Sequence, residues 1–241
     1  MKKNKCKYYC YKKIRNKIDN STKKMDKLKL VIFDMDGVLT DIYSSWKYVH
    51  DYFNSSNEKS LELYLKGQID DREFIRRDID LWKENDKIIK KEKLAEILAD
   101  IPLMNGAKTC INFLKKKGIK TAIVSAGLDV LAERVGKELS IDKICSNGIK
   151  VDSQGYLTNE GILNVKLMYK NEAINDLSKT LKIPLKRIAA IGNSCFDITM
   201  FEVCGLSIAF NPDDKCTVKY ADYSVKKKDL SLILKILKKY Y

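Results

Sequence analysis

The sequence predicts an α/β protein: a doubly wound, mostly parallel sheet with a small helical cap inserted after the first strand. Three observations carry this reading. Residues 28–34 form an apolar run that climbs to Asp34 and stops, as a strand buried on both faces does. Comparable runs return after Pro102 at residues 120–124, 187–191 and 206–210, each followed by a helical stretch. Repeated β-then-α order argues for parallel strands joined by crossover helices. Between the first strand and Pro102, residues 44–98 show helical spacing and no convincing strand.

Taken in order, the cap shows three apolar faces: Tyr48, Tyr52 and Phe53; then Phe74, Ile75, Ile79 and Trp82; then Ile88, Leu94, Ile97 and Leu98. Gly67 and Asn85 interrupt it, and Asp70 is placed to cap the helix that carries Phe74. Residues 107–117 read as a helix ended by Gly118. The strand over 120–124 runs into Ser125-Ala126-Gly127, and a helix follows over 128–139. A hairpin is expected within 143–157, turning at Asp152-Ser153-Gln154-Gly155. A helix over 170–181, Pro184 in a connection and a strand over 187–191 lead to Gly192-Asn193-Ser194. A helix begins at 197, a strand covers 206–210, residues 223–225 are extended, and the last helix spans 230–237. The expected division is a basic flexible extension over 1–26, a core over 27–43 and 101–241, and a cap over 44–100.

Composition narrows the function classes. The chain has 241 residues, 45% of them hydrophobic, which sustains a sizeable core and excludes global disorder. No apolar run approaches a membrane span, and the basic N-terminal stretch lacks the apolar segment of a secretory signal. Seven cysteines are scattered without a framework, which points to reduced thiols and a cytoplasmic protein. The one histidine, His50, excludes a histidine-rich zinc site; it falls on a cap helix, with a surface or packing role expected. Of the net charge of +14, residues 1–26 carry +8 and the remainder +6. Such an arm reads as solvated by default, and a weak electrostatic contact with RNA or another polyanion is the functional alternative. Tyr8, Tyr9 and Tyr11 lie in it without a recognised binding motif.

The chemistry gathers at the strand ends. In an extended backbone residues i and i+2 point the same way, so Asp34 and Asp36 face one pocket, and Gly37 permits a sharp turn behind them. Two such acids bind a divalent metal, or serve as nucleophile and proton shuttle, or both. A second strand end carries Ser125 and Gly127, a later one carries Asn193 and Asp197, and Lys170 opens the helix before it. Carboxylates, a hydroxyl, an ammonium and a site for Mg²⁺ together suit phosphoryl transfer, which needs neutralised oxygens and an in-line nucleophile. Plainer readings stand beside these. Ser125 is also a helix N-cap candidate, Lys166 rivals Lys170, and Asp197 suits a helix N-terminus through the dipole alone.

On these residues the sequence resembles the haloacid dehalogenase superfamily of phosphatases. Asp34-Met35-Asp36-Gly37-Val38-Leu39-Thr40 resembles its first motif, Ile123-Val124-Ser125-Ala126-Gly127 its second, Lys170 its third and Gly192-Asn193-Ser194-Cys195-Phe196-Asp197 its fourth. The resemblance covers residues 28–241, and the helical insert is similar to the cap of the phosphoserine phosphatase-like branch. It implies that Asp34 attacks phosphorus to form an aspartyl phosphate, and that Asp36 protonates the leaving alkoxide and then activates water. It implies that Ser125 and the Gly127 amide hold phosphoryl oxygens, that Lys170 offsets charge, and that Asp34, Asp36, Asn193 and Asp197 form the Mg²⁺ site. Asn193 departs from the family's usual aspartate and removes one negative charge.

The resemblance also implies a substrate. Phosphoserine phosphatases carry an acidic residue soon after the first motif and a cap arginine that clamps the substrate carboxylate. Here the first region reads Tyr43-Ser44-Ser45-Trp46, and Asp78 stands near the expected arginine, with Arg72, Arg76 and Arg77 close by. Arg76 or Arg77 is the candidate substrate clamp with a small shift; equally, both read as plain surface charges on a cap helix. A small phosphorylated metabolite is the expected partner, with phosphoserine the leading named candidate. The alternatives are transfer of the phosphoryl group to another hydroxyl, or a non-catalytic protein of this fold that binds RNA or a partner through its basic arm.

Overall fold

The computed structural model describes residues 25–84 and 87–241. The sheet has seven strands. β1 (Leu30–Phe33) lies at its centre between β4 (Lys120–Leu128) and β7 (Ile188–Gly192), and pairs in parallel with both. Beyond β4 come β5 (Lys143–Val151) and β6 (Leu157–Ile162); beyond β7 come β8 (Leu206–Phe210) and β9 (Tyr223–Val225). All neighbours are parallel except β5 and β6, which form the expected hairpin.

Both faces of β1 are covered, which explains its unbroken apolar run. Leu30 and Ile32 face one core, with Ile174 of α7 (Lys170–Leu181) and Ile198 and Phe201 of α8 (Ile198–Val203). Val31 and Phe33 face the other, with Ile111 and Leu114 of α5 (Ala107–Lys116) and Leu131 and Val135 of α6 (Asp129–Leu139). Each large side chain so buried stabilises the fold by roughly 1.5–3 kcal/mol. The chain leaves β1 toward β4 on one side and later crosses to β7 on the other. The carboxyl end of β1 is therefore a topological switch point, where open α/β sheets bind their ligands.

The insert comprises α1 (Ser45–Tyr52), α2 (Glu58–Leu65), α3 (Asp71–Ile79), a short antiparallel ribbon of β2 (Lys83–Glu84) with β3 (Lys87–Ile88), and α4 (Lys91–Leu98). The ribbon corrects the expectation of an all-helical cap. A two-residue strand is too short to show a period in sequence, and it is held from outside: the Leu157 amide donates to the Ile89 carbonyl at 3.0 Å, and Lys90 bridges to Tyr156. Gly67 separates α2 from α3, and the Asp70 carboxylate caps α3 by accepting from the Glu73 amide. The face of α1 is also corrected. Tyr48 and Tyr52 are exposed, whereas Ser45, Val49 and His50 are buried. Two of those three are polar, so hydrophobic spacing could not select the face; their hydrogen bonds do. His50 takes the packing role of the two foreseen, only 2% exposed. Its Nδ1 accepts from the indole of Trp82 at 3.0 Å.

Two further elements escaped the sequence reading: the helix α9 (Lys215–Tyr220), capped by Asp214, and the 3-10 character of the last helix before α10 (Leu234–Leu237). The expected extension over 1–26 lies largely outside the described residues, as do Tyr8, Tyr9, Tyr11 and Asn85. Asp26, at the end of that stretch, donates its amide to the Lys186 carbonyl at 2.9 Å. Among the described residues no helix is long and apolar enough to cross a membrane.

Candidate active site

The aspartate loop folds around one carbonyl. Met35 O accepts from the amides of Val38, Leu39 and Thr40 and from the Thr40 hydroxyl, at 2.9–3.2 Å. Gly37 takes a φ of 77°, and a Cβ there would lie 2.4 Å from Asn193 Nδ2, so both the turn and the approach of the neighbouring loop require glycine. The Asp34 amide continues the ladder by donating to Ile191 O at 2.9 Å.

These constraints bring the expected groups to one mouth. Asp34, Asp36, Ser125, Gly127, Lys170 and Asn193 all line a cavity of about 430 Å³ between the sheet's carboxyl end and the insert. Lys170 Nζ lies 3.0 Å from Asp34 Oδ1 and 2.7 Å from Asp197 Oδ1, and all three side chains are buried. Lys170 thus lies at this mouth, whereas Lys166, the other candidate, is exposed and pairs with Glu172. Burial pushes the Asp34 carboxyl up to about 7, against the opposing pull of the Lys170 ammonium and with the repulsion of Asp197 and Asp36. Burial likewise raises Asp36, although the Ser45 hydrogen bonds counteract it. Lys170 is held firmly protonated by the two carboxylates despite its burial.

The second strand end is shaped by a break in register between Val124 and Leu128, where β4 departs from its pairing with β5. Irregularities of this kind re-aim side chains next to functional sites. Two side chains hold the segment: Trp46 Nε1 donates to Ala126 O at 2.9 Å, and Asn147 Nδ2 donates to Ala126 O and Val165 O. A Cβ on Gly127 would meet Asp36 Oδ2 at 2.9 Å and Ser45 Oγ at 2.8 Å. The second motif is therefore packed directly against the first.

Three expected site residues are not where the sequence suggested. Asp197 does not line the cavity. Its Oδ2 accepts from the amides of Asn193 and Ser194, and its Oδ1 takes Lys170. With both oxygens engaged by the protein it braces the loop and the lysine rather than facing a metal. Arg76 and Arg77, the expected clamp, also lie outside the cavity. Arg76 pairs with Glu73 and Asp80, and Arg77 with Glu73, all along α3. The α3 residues that reach the cavity are Asp71, Phe74, Ile75 and Asp78.

Three residues that the sequence did not single out complete the site. The Ser45 amide and hydroxyl donate to Asp36 Oδ2 at 2.7 and 2.8 Å, which leaves Asp36 Oδ1 as its unpartnered oxygen. A Ser-Ser pair opening a helical run is a capping signal, but Ser44 is the cap, and Ser45 turns inward instead. Asn147 anchors the second motif as described. Asp213, on the loop after β8, accepts from Asn193 Nδ2 at 3.0 Å and donates its amide to Asn193 O at 2.8 Å. The amide's oxygen, Asn193 Oδ1, is thereby the buried atom left without a partner. Burial, together with repulsion from Asp197 and Asp214, pushes Asp213 up to about 6.

Comparison with known proteins shows the family and the fold. The model of the haloacid dehalogenase-like hydrolases matches residues 28–205. The chain belongs to this family. Its relatives include the phosphoserine phosphatase of Methanocaldococcus jannaschii, 29% identical over 215 residues, which cover 88% of this chain and 99% of that protein. The phosphoserine phosphatase of Idiomarina loihiensis is 30% identical, over 87% of this chain and 93% of its own length. Among solved structures, a substrate-bound phosphoserine phosphatase superposes with a TM-score of 0.74 at 26% identity, covering 88% of this chain and 99% of its own. A phospho-aspartyl intermediate analogue of phosphoserine phosphatase gives 0.73 at 28%, with the same coverage. In this haloacid dehalogenase-like hydrolase the two-aspartate loop, the irregular end of β4, Lys170 and Asn193 line one cavity at the carboxyl end of the sheet.

Proposed function

We propose that the protein hydrolyses small phosphomonoesters through a covalent intermediate on Asp34. The observation that carries this reading is the buried Lys170 ammonium, which bridges Asp34 and Asp197 at the switch point beside Asp36. Asp34 attacks phosphorus while the bond to the ester oxygen breaks. Asp36, whose carboxyl is raised by burial, acts as the general acid and hands its proton to the departing oxygen. It then takes a proton from the water that attacks the aspartyl phosphate, so that alcohol and inorganic phosphate leave and Asp34 is regenerated. Ser125 and the Gly127 segment hold phosphoryl oxygens, and Lys170 offsets their charge. The insert closes over the cavity and limits substrate size. The test is inorganic phosphate release from a panel of small phosphomonoesters, O-phosphoserine included as the candidate that the relatives' names supply, across a Mg²⁺ titration. Release that depends on Mg²⁺ is the expected result.

The residues present fit a divalent cation. Among the described residues no three His, Cys, Asp or Glu side chains group as a metal centre, so a cation here draws on amide, backbone and water oxygens as well. Asn193 Oδ1 is buried and unpartnered beside the two-aspartate loop, and an all-oxygen set of low charge suits Mg²⁺. Asp34, the backbone of Asp36 and Asn193 are the residues that would hold it. When bound, the cation supplies positive charge that neutralises phosphoryl oxygens and keeps Asp34 ionised. Asp213 restores nearby the charge that Asn193 lacks, and it fixes which way the amide points. Asp213→Asn is therefore expected to weaken Mg²⁺ binding about 10–100-fold, the usual cost of losing a residue that orients a ligand, as read by calorimetric titration. Binding also competes with protons on Asp34, near 7, and Asp213, near 6. Affinity should rise with pH from about 5 to about 8, and calorimetry near pH 6 in buffers of different ionisation enthalpy should show protons released.

Ser45 offers a further test. Its hydroxyl also accepts from the Leu128 amide at 3.1 Å, so Ser45→Ala strands a buried amide as well as loosening Asp36. The expected cost is about 1–3 kcal/mol of stability by denaturant titration, with kcat reduced on the order of tenfold or more. Five free cysteines among the described residues accord with a reducing compartment, which supports a cytoplasmic location.

A further inference from the structure

The side of the cavity formed by the insert has the wrong charge for a carboxylate. It is lined by Lys47, His50, Asp51, Glu58, Asp71 and Asp78, with Trp46, Phe74 and Ile75 between them. Each basic group is spoken for or neutral. Lys47 sits at the exposed rim, 2.6 Å from Asp51. His50 Nδ1 accepts the indole proton of Trp82, so the ring is the neutral tautomer with its proton on Nε2, which lies 3.5 Å from Asp78 Oδ1. Asp78 is 2% exposed and otherwise receives only the neutral amide of Asn57, at 3.0 Å. Asp71 accepts from the Tyr64 hydroxyl and the Leu167 amide, again both neutral. Arg76 and Arg77 are turned away onto Glu73 and Asp80. Among the described residues, the cap side of the cavity thus presents Asp71 and Asp78 beside Trp46 and Phe74, with no unpaired cation among its lining side chains to meet an incoming carboxylate.

Resting on the phosphomonoester reading above, we infer that the cap selects esters whose alcohol carries a cationic group and no carboxylate. An ammonium placed there meets Asp78 and Asp71 and the faces of Trp46 and Phe74, a combination that attracts cations both by charge and through the ring quadrupoles. A carboxylate in the same place meets like charge, and such a juxtaposition discriminates against the wrong ligand. The inference separates two compounds that differ by one group. O-phosphoserine and phosphoethanolamine share the phosphate, the two-carbon link and the ammonium; only the former has the carboxylate.

The experiment is to measure kcat/KM for phosphoethanolamine, O-phosphoserine and p-nitrophenyl phosphate with the full chain and Mg²⁺. The expected result is a preference for phosphoethanolamine over O-phosphoserine of at least about tenfold, expressed mainly in KM. Asp78→Asn narrows that ratio several-fold; should this buried change prevent folding, Asp71→Asn serves the same purpose from the cavity edge. Hydrolysis of p-nitrophenyl phosphate with equal kcat/KM for the other two, or a preference for O-phosphoserine, overturns the inference and leaves the hydrolase reading intact. A preference that neither variant alters overturns the assignment to these carboxylates. Absence of release from all three compounds overturns both readings together.

Discussion

Asp34→Asn is expected to abolish phosphate release, by about 10³-fold or more, because an amide cannot form the aspartyl phosphate and removing a nucleophile disables the machinery that acts with it. Acid-quenched wild-type protein should carry one added phosphoryl mass on the peptide containing Asp34, and the variant none. Misfolding is separable from lost chemistry by the sign of the electrostatics. The Asp34 carboxyl is raised from 3.8 to about 7 by burial, so between those values the native state holds a proton that the unfolded chain has released. Wild-type stability without added metal therefore falls as pH climbs through that window. Asparagine removes the dependence, and the variant should unfold at a temperature close to or above that of the wild type at neutral pH. Full activity in the variant would overturn the proposed nucleophile.

Lys170→Met should remove both activity and stability. Its ammonium is the buried counter-charge to Asp34 and Asp197, and deleting one partner of a buried ionic cluster costs about 3–5 kcal/mol. In a domain of this size that lowers the melting temperature on the order of 10 °C. The loss of chemistry follows from the same cause. Lys170 lowers the Asp34 pKa, so without it the carboxyl is still more firmly protonated and the nucleophile is neutral at pH 7. Turnover should fall about 10²–10⁴-fold, and what remains should rise with pH as Asp34 ionises. Lys170→Arg keeps the charge but not the compact ammonium and is expected to recover stability better than rate. Thermal melts and pH–rate profiles of both variants check this.

The same physics explains how the cap differs from its sequence reading. Arg76 and Arg77 follow Glu73 by three and four residues, a spacing that pairs charges along one helix. They took that local partner, while Asp78 rotated inward beside Asn57 and His50. A cation already satisfied by neighbouring carboxylates has little to gain from a pocket. The ribbon between Lys83 and Ile88 had no periodic signal to read, since it rests on bonds from the β5–β6 hairpin some seventy residues later in the chain.

From the sequence alone came the sheet class, the burial of the first strand and the ordered set Asp34, Asp36, Ser125, Lys170 and Asn193. These are local properties: unbroken apolar runs, a spacing of two between carboxylates, and glycines where the backbone must turn or pass close to a neighbour. Only the tertiary structure decided that Ser45 holds Asp36, that Asp213 orients Asn193, that Asp197 braces Lys170, and that carboxylates rather than arginines line the cap wall. Each of these depends on which strand ends lie side by side and how far a helix is rotated. Both are set by packing between segments distant in sequence, and a single polar residue there leaves no period by which to find it.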